Sequence, residues 1–260
     1  MTDVRARIRS GAHTGQTAGL CPGSLQTNIV ILPADHAHDF LEYCLRNPKP
    51  CPLVAMGDPG DPALPRLGAG IDMRHDLPSY AIYRDGRMTG TATDIADLWR
   101  DDLVTFALGC SFTFETALQA AGVPMHHIAR NTTVPMFRTD VATLPAGPFE
   151  GNLVVSMRPI PRAHLDTVAR ICAEYPHAHG TPCHRGDPWE IGITDLDRPD
   201  WGQPMPVGPD EVPVFWACGV TSQAAVENAA LPLVITHQPG CMLITRVSDR
   251  EVGLLAEDAA

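Results

Sequence analysis

The chain has 260 residues, of which 44% are hydrophobic, and a formal net charge of −11 at pH 7. This length and composition are typical of a folded protein with one large or two modest domains, and they exclude a disordered chain. The acidic balance argues against nucleic acid or an anionic membrane as the main partner. No apolar run is long enough for a membrane span, and none follows the N-terminal arginines as in a secretory signal, so we expect a soluble cytoplasmic protein.

In the first half of the chain, strand and helix patterns alternate. The expected elements in chain order are helix 3–10, strand 27–33, helix 34–48, strand 51–57, hairpin 79–93, helix 94–102, strand 103–109 and helix 111–121. The hairpin should turn at Asp85-Gly86, because apolar residues alternate on either side of this pair. Gly122 and Pro124 end the helix before them.

In the second half, extended segments are separated by Gly- and Pro-rich loops. The expected elements are extended segments 131–140 and 151–160, helix 162–175, loop 176–190, strand 212–219, helix 221–231, and strands 233–237 and 242–247. No internal repeat with a fixed period is evident.

The alternation of strands and helices predicts an α/β fold with a mixed, largely parallel sheet and helices on both faces, in three layers. Residues 131–205 predict a smaller inserted α+β domain, which leaves 1–130 and 206–260 for the three-layer domain. Ligands bind at the carboxyl ends of parallel strands. Cys110 and Cys218 each lie between a buried strand and a helix, so we expect the active site near them.

The eight cysteines form no CxxC pair, which in a chain of this length favours reduced thiols over disulfides or zinc ligands. Cys110 nevertheless lies where a helix begins, and a helix N-terminus favours the thiolate, which is the nucleophilic form. Ser111 and Glu115 beside it would equally form an ordinary helix cap. Both interpretations stay open at this point.

Other polar clusters offer binding and acid–base groups. Asp72, Arg74 and Asp76 alternate, as in an ion-paired edge or a clamp for a substrate carboxylate. Arginines beside apolar segments, among them Arg138 and Arg158, would lie at the surface or form an anion pocket.

Histidines supply the candidate acid–base groups. His179 and His184 lie in the 176–190 loop, and His237 ends a strand. The loop also has the residue types of a metal site, but its spacing matches no standard zinc pattern. The chain has no G-x-S-x-G, Walker, H-E-x-x-H or strand-linked G-x-G-x-x-G motif, so we do not expect dinucleotide binding.

Two long segments carry a family resemblance, GCSFTFE (109–115) and VFWACGVT (214–221). With DMRHDLPSYAIYRDG, HGTPCHRGDPWEIGI and ITHQPGCMLIT, they resemble a family of bacterial proteins named as hydro-lyases, itself similar to the first part of mitochondrial D-glutamate cyclase. The resemblance runs from about residue 19 to residue 246. It implies a hydro-lyase of a small carboxylic acid, and in particular the conversion of D-glutamate into 5-oxo-D-proline and water.

This reaction needs two carboxylates held, a base for the ammonium group and a stabilised oxyanion. We assign the clamp to Arg74, Arg138 and Arg158, and Cys110 is the candidate nucleophile through a thioester. The acid–base candidates are Glu115, His179, His184 and His237. The other substrate-binding candidates are Asp72, Asp76, Ser111, Asn131, Thr139, Cys218 and Thr221.

Alternatives are a hydratase or dehydratase of another small carboxylate, a metal-dependent hydrolase and a non-catalytic protein that binds small acids. We expect no required cofactor, with a divalent metal as the alternative. A homodimer is the default expectation for a soluble enzyme.

Overall fold

The structure, a computed structural model, describes residues 2–249. The helices are α1 (Thr2–Arg9), α2 (Ala37–Arg46), α3 (Phe112–Ala120), α4 (His126–Ala129), α5 (Leu165–Ala173) and α6 (Val220–Ala229). The strands are β1 (Ser24–Pro33), β2 (Leu53–Met56), β3 (Tyr80–Arg84), β4 (Arg87–Ala92), β5 (Leu103–Gly109), β6 (Met136–Ala142), β7 (Asn152–Pro161), β8 (His184–Arg185), β9 (Glu211–Ala217), β10 (Val234–His237) and β11 (Leu243–Ser248). Within this part of the chain, no helix has the length and apolarity that a membrane crossing requires.

The strands form two sheets rather than one. The first has the order β2-β5-β1-β10-β3-β4, with β11 also paired to β1, and the second has the order β6-β7-β9-β8. Every pairing among the described strands is antiparallel. The chain is thus α/β in content, and the expected largely parallel sheet is wrong.

The composition of β1 explains this error. Its apolar run Ile29–Leu32 is typical of a parallel strand covered on both faces. Here β1 is covered on both faces although its neighbours are antiparallel. Ile29 and Ile31 pack into a cluster with Leu64, Leu67 and Leu77. Val30 and Leu32 point the other way, into a cluster formed with α2 and α6.

One predicted helix is also wrong. Residues 94–102 contain only a 3-10 turn at Ala96–Leu98. The Asp94 carboxylate accepts the N–H of Ala96 at 2.8 Å, a local bond that stabilises a turn in place of a helix. The hairpin that turns at Asp85-Gly86 is confirmed, as β3 and β4.

The two halves of the chain repeat one order of elements. A strand (β1 or β7) leads through a 3-10 turn into a helix (α2 or α5), a further strand (β2 or β8), then a strand, a cysteine and a helix (β5-Cys110-α3 or β9-Cys218-α6). The sheets match as well, β2-β5-β1-β10 against β8-β9-β7-β6. The β3–β4 hairpin exists only in the first half, so the spacing is uneven and the sequence shows no fixed period.

The halves exchange helices. α3, which follows β5 of the first sheet, packs with α5 on the second sheet through Phe114 and Leu118. α6, which follows β9 of the second sheet, packs with α2 on the first sheet through Ala225 and Val226. Each hydrophobic layer therefore contains residues of both halves.

Strand pairing does not follow the expected domain boundaries. β9 belongs to the 206–260 segment, yet it pairs with β7 of the expected inserted domain. The division into 1–130 with 206–260 and an insert of 131–205 stays a prediction, and its residues 250–260 lie outside the described residues.

Candidate active site

Two junctions between a strand and a helix border one narrow pocket. β5 ends at Gly109 and α3 follows Cys110 and Ser111, while β9 ends at Ala217 and α6 follows Cys218 and Gly219. Residues from both junctions line the pocket, together with Asn28, Ser156 and His179. The convergence of Cys110 and Cys218, predicted for the wrong sheet type, results from the duplicated halves facing each other.

Glycine is required at both junctions. A Cβ atom on Gly109 would stand 1.6 Å from the His177 carbonyl oxygen, so the 176–180 loop lies directly against the end of β5. A Cβ atom on Gly219 would stand 2.3 Å from the Asn28 amide carbon. These close approaches bring His179 and Asn28 to the pocket.

Both thiols are buried beside helix N-termini. The carbonyl of Cys110 accepts the N–H of Thr113, and the carbonyl of Cys218 accepts that of Thr221. Burial raises the pKa of Cys218 to about 11, and it raises the pKa of Cys110 further, although the Phe112 N–H opposes this shift. The neutral thiol is therefore favoured at Cys110, and not the thiolate expected from the helix dipole alone.

Arg158 forms the polar centre of the site. It is 2% exposed and donates from Nε to a Glu115 oxygen at 2.9 Å, from Nη1 to Ser156 Oγ at 3.0 Å and from Nη2 to Ser111 Oγ at 2.9 Å. His127 Nε2 lies 3.0 Å from the same Glu115 oxygen. Burial alone would raise the pKa of Glu115, but His127 and Arg158 lower it below its usual value, so this residue is a carboxylate.

The direction of these bonds decides what the two serines do. Each serine oxygen accepts a hydrogen bond from Arg158, so each hydroxyl hydrogen is left to donate elsewhere. Both serines line the pocket. Ser111 and Ser156 therefore present donors, polarised by a buried cation, to whatever the pocket binds.

His179 presents an acceptor to the same space. Its Nδ1 donates to the Lys49 carbonyl at 2.9 Å, which leaves the lone pair on Nε2. Nε2 has no partner among the residues that the structure describes. Burial lowers the pKa of His179 to about 4, so its imidazole is neutral at pH 7.

Several predicted clamp residues lie elsewhere. Arg74 pairs with Asp72 near the surface at 2.7 Å. Asp76 is fully buried and accepts hydrogen bonds from Arg5 and Arg9, which attach α1 to the 70–76 segment. None of these residues lines the pocket.

Arg138 is also outside the pocket. It donates to Glu227 at 2.8 Å, and its guanidinium lies 4.7 Å from the centre of the Trp201 ring. Thr139 Oγ1 donates to the Leu153 carbonyl, and exposed Asn131 accepts from Gln16. These groups have structural partners that explain them.

Three more candidates have local roles. Thr221 Oγ1 bonds to the backbone of Val154. His184 lies on the edge strand β8, away from the pocket, and its Nε2 approaches the Asp187 carbonyl at 2.8 Å. His237 is buried, and its Nδ1 lies 3.1 Å from the Ile29 N–H that donates to it. Burial lowers the pKa of His237 to about 4.

Asn28 and Ser156 are the pocket residues that the sequence interpretation missed. Each is a polar residue inside an apolar strand, in TNIVILP and NLVVSMRP. A polar group in a fully buried strand needs a partner, and this was the available signal. Across residues 2–249, no group of three or more His, Cys, Asp or Glu residues is arranged to hold a metal ion.

Comparison with known proteins agrees with this site. The D-glutamate cyclase family model matches residues 104–246, which include both cysteine junctions, Arg158 and His179. A "Putative hydro-lyase" of Jannaschia sp. (strain CCS1) is 58% identical over 246 residues, covering 95% of this chain and 92% of its own length. One of Bordetella petrii is 52% identical and covers 98% of this chain and 97% of its own. The chain therefore belongs to the D-glutamate cyclase family, and it is an enzyme of the lyase class.

Proposed function

We propose that this enzyme converts D-glutamate into 5-oxo-D-proline and water. Relatives named as hydro-lyases and the family of the chain support this reaction. The observation that carries the proposal is the pairing of two Arg158-polarised hydroxyls with a neutral histidine at one pocket. One half of this pair suits a carboxylate, and the other suits an ammonium group that must lose a proton.

In the proposed reaction, the substrate amine forms a C–N bond to the side-chain carboxyl carbon, and a C–O bond of that carboxyl breaks. His179 Nε2 accepts protons from the ammonium group and returns them to the leaving oxygen, so the ammonium loses two hydrogens and one water forms. Ser111 and Ser156 donate to the oxyanion of the tetrahedral intermediate. The first N–H groups of α3 point to the same position, since a helix N-terminus has unpaired donors.

Cys110 has two possible parts in this scheme. In the covalent route its thiol attacks the carboxyl carbon first and the amine then displaces it from the thioester. Because burial favours the neutral thiol, this route also needs His179 as the base. Retention of full turnover by both Cys110→Ser and Cys110→Ala would exclude the covalent route and leave Cys110 as part of the pocket wall.

The first experiment is proton NMR of the chelator-treated protein, incubated separately with D-glutamate and with 5-oxo-D-proline. We expect interconversion without added metal or cofactor. Ser111→Ala and Ser156→Ala should each lower kcat by about 10²-fold, the usual cost of one oxyanion donor. Arg138→Ala is the matched control, because Arg138 lies outside the pocket, and it should leave kcat unchanged.

The absence of any interconversion, with and without added divalent metal, would contradict the proposal. Equal effects of Arg138→Ala and Ser156→Ala would also contradict it, because the site would then not be the described pocket. Size-exclusion chromatography of the same sample tests the expected homodimer.

A further inference from the structure

The two halves of the pocket are equivalent in position and different in chemistry. Asn28 lies opposite Leu108 in the β1–β5 pair, and Ser156 lies opposite Trp216 in the β7–β9 pair, so the two residues occupy matching places beside their cysteine junctions. Ser156 shares Arg158 with Ser111, which precedes α3. Asn28 instead lies against Gly219, which precedes α6. A strand of each half thus meets the helix start of the other.

Only one of these halves has a cation. Arg158 lies opposite Val214, and the matching residue opposite Phe106 on β1 is the apolar Val30. The Arg158 half has the polarised hydroxyls that a reacting carboxyl requires. The Asn28 half has none, and it offers neutral donors.

The Asn28 half has unpaired polar groups directed at the pocket. Asn28 is 2% exposed and lines the pocket, and its Nδ2 gives one hydrogen to the Gly109 carbonyl at 2.6 Å. Its second amide hydrogen and its Oδ1 have no partner within residues 2–249. The N–H groups of Gly219 and Val220 lie at the start of α6, where a helix lacks intrahelical acceptors. Buried groups of this kind need a partner, and a ligand supplies one.

We propose that Asn28 and the N-terminus of α6 bind the carboxylate of the substrate that does not react, which makes Asn28 a specificity-determining residue. This inference rests on the proposed function, since it assigns the second carboxylate of that same substrate. Neutral amide donors at a helix N-terminus bind a carboxylate without the polarisation that would activate it.

Titration calorimetry with two non-reacting ligands tests this assignment. Glutarate has two carboxylates and butyrate has one, and neither has an amine. We expect glutarate to bind the unmodified enzyme at least about tenfold more tightly than butyrate. Asn28→Ala should weaken glutarate binding by about tenfold and change butyrate binding less than about twofold. The control Arg138→Ala should leave both affinities unchanged.

Equal weakening of both ligands by Asn28→Ala would overturn the inference, because it would indicate a purely structural residue. Equal affinity of the unmodified enzyme for both ligands would overturn it as well, and this comparison needs no variant to fold. The proposed function fails separately. Preference for glutarate without turnover of D-glutamate would support the carboxylate site and contradict the cyclase activity, whereas turnover without that preference would do the reverse.

Discussion

At the residue scale, the acid–base properties of the site depend on how each group is buried. His179 has φ 75°, a conformation uncommon for a residue other than glycine, and its Nδ1 is held by the Lys49 carbonyl. This geometry fixes the tautomer and leaves Nε2 to the pocket. Burial, which disfavours a charged imidazole, keeps the ring neutral. A base that is neutral at pH 7 without a carboxylate partner follows from burial alone.

This burial predicts how stability depends on pH. Burial lowers the pKa of His179 and of His237 to about 4 in the folded protein, from about 6.5 in the unfolded chain. The unfolded chain then takes up protons first, so stability is full above pH 6.5 and falls as the pH drops towards 4. Between pH 7 and pH 5 each histidine should cost on the order of 2 kcal/mol.

Urea unfolding at pH 7, 6 and 5 under reducing conditions measures this loss. The carboxylates with lowered pKa, such as Asp72 and Glu211, protonate at lower pH and contribute little in this window. His237→Gln should remove about half of the pH dependence. A free energy of unfolding that is flat from pH 7 to pH 5 would refute the prediction.

At the scale of elements, a buried ion pair joins α3 to β7. Glu115 on α3 and Arg158 on β7 are each 2% exposed, and the Arg158 guanidinium also lies 5.2 Å from the Trp216 ring centre. Removal of one partner leaves the other charge buried, whereas removal of both leaves an apolar contact. The pair therefore ties the position of the α3 N-terminus to the second sheet.

Arg158→Met should destabilise the fold by about 3–5 kcal/mol, because Glu115 loses its main partner in a buried site. The double variant Glu115→Gln with Arg158→Met should recover at least about half of this loss. Chemical denaturation measures both, and Arg100→Ala, which breaks an exposed pair with Asp102, should change stability by less than about 1 kcal/mol. If the double variant were no more stable than Arg158→Met, the charge would not be the cause.

At the scale of the whole molecule, the exchange of α3 and α6 links the two sheets. Loss of one half would strip a helix from the hydrophobic layer of the other, through Phe114 and Leu118 in one case and Ala225 and Val226 in the other. We therefore expect one cooperative unfolding transition for the described part of the chain.

Tryptophan fluorescence tests this cooperativity. Trp99 packs against the first sheet and Trp216 is buried on the second. In variants that keep only one of these two residues, with the other tryptophans replaced by Phe, the urea midpoints should agree with each other and with far-UV circular dichroism. Separate midpoints would contradict the single transition and would instead support the division with an inserted 131–205 domain.

Much of the local structure could be predicted from the sequence. β5 was predicted with its observed bounds, and the α3 and α6 predictions differ from the structure by one or two residues at each end. Gly and Pro at the ends of apolar runs act locally, so they are readable from a short window. His179, Cys110, Ser111 and Cys218 were likewise predicted and line the pocket. Arg74 and Arg138 could not be excluded, because an arginine looks the same in sequence whether it faces a pocket or solvent.

By itself, the sequence determined the positions of most strands and helices, the two strand–cysteine–helix junctions and the acidic, largely reduced-thiol character of the chain. The tertiary structure alone decided the direction of the strands, the exchange of α3 and α6, and the meeting of Arg158 with Glu115, 43 residues away. The reason is the range of the interactions. Helix and strand signals arise between near neighbours, whereas sheet order and buried polar partners depend on contacts that no local pattern records.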